Sequence, residues 1–138
     1  MNHRRQYGFT MAEALIVIGI TVVLAAAAIP GGFGVWRNAK QMQLHRCAET
    51  IFMTAQRNLA AAKVSNYSIT RSEVSGSSDT EATVVLPANT VSPSLYNGHW
   101  VVQYSSDYRV QRVYYWEDEL SNYRSELGNT GKVGQYGS

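Results

Sequence analysis

One cysteine in 138 residues leaves nothing for an intrachain disulfide, so the fold has to hold by packing alone. Cys47 reads as a small buried or half-buried helix residue. Charge is sparse: Asp, Glu, Lys and Arg together make up 16% of the chain. No nucleophile elbow, phosphate loop or paired-carboxylate pattern occurs. His45 and His99 stand far apart without neighbouring ligands, so no metal site and no cofactor is expected. The sequence therefore points away from an enzyme. Internal repeats are missing, and 15.3 kDa leaves room for one modest domain once any membrane segment is set aside.

The charge that is present is unevenly spread. The net value is +2, yet residues 37–72 hold Arg37, Lys40, Arg46, Arg57, Lys63 and Arg71 against Glu49 alone. Residues 73–138 are acidic on balance. Such a chain is a dipole along its sequence, and nucleic acid is a partner that this pattern allows but does not favour.

What the chain does have is a long apolar run. From Ala14 to Trp36, 23 residues carry no formal charge. At about 1.5 Å per residue a helix of that length crosses a hydrocarbon layer of about 30 Å. His3, Arg4 and Arg5 precede it and favour a cytoplasmic amino end, although Arg37 and Lys40 just beyond weaken that bias. A removable secretory signal is the alternative, with Ala25–Ala28 offering a small-residue cleavage site. One residue fits neither reading easily: Glu13 sits at the edge of the run, where a carboxylate in hydrocarbon costs roughly 2.5–3.5 kcal/mol.

Past the run, residues 35–63 contain no proline or glycine. Val35, Ala39, Met42, Ala48, Ile51, Ala55, Leu59 and Ala62 recur at spacings mostly of three and four, which predicts an amphipathic helix continuing the apolar one. Pro30, Gly31 and Gly32 interrupt it and predict a kink or an unwound turn. The segment 65–83 is polar and reads as a linker with one short extended piece. ATVVLP at 82–87 predicts a strand. HWVVQYS at 99–105 and YRVQRVYYW at 108–116 predict an antiparallel pair around Ser106-Asp107. WEDELSNYRSEL at 116–127 has the spacing of a short helix. The Gly-rich tail, GNTGKVGQYGS, is either loose or pinned through Val133 and Tyr136. The expected fold class is α+β: a long N-terminal helix over 9–64, with a membrane segment at about 14–36, packed on a small antiparallel sheet within a β-rich domain at 65–138. One sheet face is expected to be buried and the other wet.

The stretch RRQYGFTMAEALIVI, with Pro30 downstream, resembles the amino terminus of the type IV pilin and pseudopilin family. The likeness is strong over about residues 4–36 and only architectural beyond. It implies a leader peptide at 1–8, a cut by a prepilin peptidase between Gly8 and Phe9, and N-methylation of Phe9. Glu13 then falls fifth in the mature chain, where the family has its glutamate, and Pro30 twenty-second, where many members have a proline. The calcium loop of many pseudopilins and the cysteine pair of many pilins are both missing. The Gly-rich end is more like Gram-positive members, and the subclass stays open.

Once the chain is cut, Phe9 would carry a positive amine near the apolar edge. Glu13 of one subunit facing that amine on its neighbour would turn two costly charges into one pair that penalises wrong registers. The resemblance thus implies a filament subunit, stored in the cytoplasmic membrane against lipid and carried outward by an assembly platform to join identical or related pilin subunits. Two alternatives are a single-pass, membrane-anchored extracellular binding module and a minor pseudopilin of a secretion or DNA-uptake system. Arg109 and Arg112, among Tyr104, Tyr108, Tyr114, Tyr115 and Trp116, match the composition of a stacking nucleic-acid face. A sheet with aromatic cross-strand pairs is the favoured reading of the same residues.

Overall fold

The computed structural model describes residues 8–76 and 80–138. Expectations for Arg4, Arg5 and the rest of the leader ahead of Gly8, and for residues 77–79 of the polar linker, lie outside the described residues. By internal contacts the chain divides into two units, residues 1–36 and 37–138. Helix α1, Met11–Val64, contributes to both.

In the first unit α1 is apolar on all sides. Leu15, Ile16, Val17, Ile18, Ile20, Val22, Val23 and Leu24 are 53–68% exposed. Thr21 hides its hydroxyl by donating to the Val17 carbonyl at 2.7 Å, the usual way a helix carries threonine through apolar surroundings. Pro30, Gly31 and Gly32 are helical without interruption, so the unwound turn predicted there is absent. A proline removes only its own amide bond, and the turns on either side hold the helix together across it.

The second unit is built on the rest of α1. Leu44, Ala48, Ile51, Ala55 and Leu59 are each no more than 1% exposed. Their four-three-four-four spacing puts them on one face of the helix. The predicted stripe is right from Ala48 to Ala62. It fails at Val35, which lies in the first unit, and at Ala39 and Met42, all of which are exposed; Leu44 takes the buried place. Four strands form an antiparallel meander in the order β1 (Glu73–Ser75), β2 (His99–Tyr104), β3 (Val110–Trp116) and β4 (Gly134–Gly137). Trp100, Val102, Tyr104, Val113 and Tyr115 share the core with the helix face.

Residues 82–87 do not form the predicted strand. Thr80–Val85 is a short helix, α2, extended by the bond from the Leu86 amide to the Ala82 carbonyl at 2.8 Å. Its β-branched residues favour a strand, but tertiary contacts decide. Glu81 is buried and accepts from the Thr70 amide at 3.0 Å and the Thr70 hydroxyl at 2.8 Å. Asn58 of α1 donates to the Val85 carbonyl at 3.0 Å. Ala82, Val85 and Leu86 then reach the core at helical spacing. A second one-turn helix, α3 (Pro93–Tyr96), precedes β2.

The far sheet face is not wet. Val101, Tyr114, Trp116 and Val133 form a second cluster there, with Leu120, Tyr123 and Leu127 packed against it. The segment expected to be a short helix supplies this cover, as a 3-10 turn at Tyr123–Glu126. The Gly-rich tail is pinned, and its last residues are β4. A Cβ on Gly134 would collide with the Leu44 carbonyl, so only glycine lets this strand lie so close to the helix. Tyr136 packs edge-on against Phe52, with ring centroids 5.0 Å apart.

Polar side chains of α1 fasten the later elements. Gln56 accepts from the Val110 amide at 2.9 Å and donates to the Tyr108 carbonyl at 3.1 Å, closing the turn between β2 and β3. Tyr108 in that turn has φ 62. Gln41 accepts from the Gly131 amide and donates to the Val133 carbonyl at 2.8 Å. His45 Nδ1 lies 3.0 Å from the Gln135 amide nitrogen and 2.9 Å from the Gln135 carbonyl oxygen, so either tautomer holds β4.

Candidate functional site at the start of the long helix

The residues singled out in the sequence gather where α1 begins. Phe9 is 83% exposed and Met11 86% exposed, and Gly8 has open space around it. Thr10 and Glu13 face each other across the first turn. The Thr10 amide donates to Glu13 Oε2 at 3.0 Å, and the Glu13 amide donates to Thr10 Oγ1 at 3.3 Å. This is a reciprocal capping box: it satisfies two amides that a helix start leaves without partners. The carboxylate also lies at the positive end of the helix dipole, which favours negative charge.

Sequence reasoning singled out Glu13 but missed its partner within the chain. The signal was available, since Thr10-Met11-Ala12-Glu13 has the Ser/Thr-x-x-Glu spacing of such a cap. The box lets a carboxylate sit beside an apolar helix with its lone pairs engaged, at less cost than an unpaired charge.

The helix that follows is long and apolar enough to cross a membrane. Its most apolar window has mean hydropathy 2.5, with none of it buried within the protein. Each Leu, Ile or Val there would gain roughly 1.5–3 kcal/mol from full burial. None of the described residues covers it, which fits a single membrane-spanning or signal-like segment.

Other candidates resolve differently. Tyr104, Tyr114, Tyr115 and Trp116 are buried, and Arg112 donates to the Tyr114 hydroxyl at 3.3 Å. Arg109 and Arg112 therefore share no outward face with two or more of these rings, and the aromatic residues are core. Among the described residues, no group of three or more His, Cys, Asp or Glu side chains is placed to hold a metal ion. His45 serves β4, and His99 stacks on Trp116.

Cys47 is half-buried, and its thiol pKa is raised by burial and then by Glu117, away from the reactive thiolate. Tyr115 is pushed up to about 12 by burial, with Cys47 and Glu117 adding to the shift. The neutral phenol is the form that the fold keeps. The stability it lends is complete below the ordinary tyrosine pKa of about 10 and is lost as pH rises through the folded value. Alkaline absorbance titration should show one tyrosine ionising about two units late, with unfolding over the same range.

Residues 3–29 match the family model described as "Prokaryotic N-terminal methylation motif". No curated protein and no solved structure matches the chain. The chain thus carries a prepilin-type methylation and cleavage motif at its amino end, consistent with the pilin and pseudopilin superfamily, on a long helix packed against a small antiparallel sheet.

Proposed function

We propose that this chain is a structural subunit of a type IV pilus-like or pseudopilus filament. In this reading a prepilin peptidase cuts between Gly8 and Phe9, and Phe9 is methylated. The subunit waits in the cytoplasmic membrane with its amino end inside, then joins related subunits through the N-terminal helix and an assembly platform, reaching the cell surface. The observation that carries the reading is the pairing of the matched motif with a helix whose apolar surface finds no partner among the described residues. Pro30, Gly31 and Gly32 are where that helix would lengthen during extraction or assembly. Relative to alanine they cost about 3 kcal/mol for proline and about 1 kcal/mol for each glycine, which makes this its weakest stretch.

Intact-mass analysis of chain made in a host with active prepilin peptidase should show loss of residues 1–8 and gain of one methyl group. Recovery of only the full-length chain would end the processing claim. The main rival is a membrane-anchored binding module, for which Glu13 is only a helix cap. Two substitutions separate the readings, because a capping box accepts Glu or Gln. Glu13→Gln keeps the cap and removes the charge, whereas Glu13→Ala removes both. A filament subunit that needs the charge fails to incorporate in either variant while still inserting in membrane; an anchored module is indifferent to Glu13→Gln. Abundance in sheared filaments distinguishes a major subunit from a minor pseudopilin.

A further inference from the structure

Gln41 and His45 sit one turn apart on α1 and both reach the last segment of the chain. Two backbone groups fix which way the Gln41 amide points. The Gly131 N–H can only donate, and its nitrogen lies 2.6 Å from Oε1; the Val133 carbonyl can only accept, and it lies 2.8 Å from Nε2. The same Nε2 is 2.9 Å from Nε2 of His45. Its second hydrogen therefore goes to the ring, and the ring nitrogen that receives it has to carry a lone pair. Gln135 is satisfied by either tautomer, but Gln41 selects the one with its proton on Nδ1, which donates to the Gln135 carbonyl at 2.9 Å.

An imidazolium carries hydrogen on both ring nitrogens. Acid thus places a donor at Nε2 against the donor of Gln41. Turning the Gln41 amide over repairs that contact and breaks two others: Oε1 would face the Val133 carbonyl, and the NH2 group would face the Gly131 amide. The bond from Nδ1 to Gln135 is made in both forms and is untouched. Charge around the ring does not offset the loss. Arg112 of β3 is the charged side chain in the groove that His45 shares with Tyr136. On the other side, the groove toward 127–130 has no Asp or Glu in its lining among the described residues. Near that loop Glu126 is held by Asn129 at 2.6 Å, and Lys132 is exposed. On α1 itself Glu49 is one turn further on and exposed.

We infer that His45 is a pH-sensitive latch. Neutral, it keeps Gln41 on the backbone of Gly131 and Val133. Protonated, it displaces Gln41 and frees the segment Gly131–Val133 from α1, while β4 stays held at Gln135. Gly131 and Val133 are both buried, so what opens is packed backbone rather than surface loop. Histidine is the side chain whose charge ordinarily changes between about pH 5 and 8. The inference rests on residues 37–138 alone and is independent of the filament reading.

The test is amide hydrogen exchange of the full chain in detergent micelles, read by NMR as protection factors at about pH 8 and about pH 5. Protection of the Gly131 amide should fall about tenfold or more at the lower pH, the factor expected for one lost hydrogen bond. The fall should track the titration of the His45 ring. Val102 and Val113, in the middle of the sheet, should keep their protection. His45→Gln cannot titrate and should leave Gly131 protected at both pH values, whereas His99→Gln should behave as the wild type. Gln41→Leu should leave Gly131 unprotected at both. The wild-type comparison stands whichever variant folds. The inference is overturned if Gly131 is equally protected at the two pH values, if its protection falls as much in His45→Gln, or if Val102 and Val113 lose protection with it, which is acid unfolding rather than a latch.

Discussion

One helix serves two regions that treat it in opposite ways. In residues 37–138 the core face of α1 is sealed, with Leu44, Ala48, Ile51, Ala55 and Leu59 at 0–1% exposure. In residues 1–36 the same helix is more apolar, yet Ile18 is 59% exposed and Leu24 64%. Hydrophobicity alone therefore does not say where a residue is buried. The second region carries its partner in its own sequence, in strands encoded dozens of residues later. The first finds no such partner among the described residues, which fits a membrane-spanning or signal-like segment.

The sharpest way to break this comparison is to make the same truncation on both sides. Ile51→Ala should lower the unfolding free energy of residues 37–138 by about 2–5 kcal/mol, whereas Ile18→Ala should leave that transition unmoved; denaturant melts read both. Glu81→Ala comes next. It removes the buried carboxylate to which the Thr70 amide and hydroxyl now donate, at 3.0 and 2.8 Å, at a cost of about 1–3 kcal/mol in the same melt. Thr10→Ala removes half of the capping box and should cost about 0.5–2 kcal/mol. That loss should show only as faster amide exchange at the helix start, with no change in the melting of residues 37–138. The smallest effect belongs to Lys40 and Asp118, whose 3.7 Å pair has Asp118 more than half exposed. A double-mutant cycle should give about 0–1 kcal/mol, fading as salt is raised.

The fold was legible wherever local spacing carried the signal. The helix over 48–62 and the strand pair around Ser106-Asp107 follow from near-neighbour patterns, and the α+β architecture follows from them; whether the tail was loose or pinned stayed open, because its contacts with Gln41 and Phe52 are distant in sequence. Where the decisive partner was distant, the reading failed. Residues 82–87 look like a strand until Glu81 meets Thr70. The sheet face expected to be wet is dry because Leu120, Tyr123 and Leu127 fold back over it. Val35 and Met42 keep the helical period but are exposed, because periodicity does not mark where a covering sheet ends. At the candidate site, the cap between Thr10 and Glu13 was readable from their spacing.

The clasp on β4 has a consequence for the order of events during synthesis. Gln41 and His45 are made early, and the backbone groups they hold, at Val133 and Gln135, come some 90 residues later. Closing a loop of that length costs on the order of 4 kcal/mol of chain entropy, so the clasp forms only after the sheet has drawn its ends together. The β4 segment is therefore expected to lock late. Without β4 the Leu44–His45 stretch of the helix would lie bare, so the closeness that Gly134 permits also decides whether this part of the helix is covered at all.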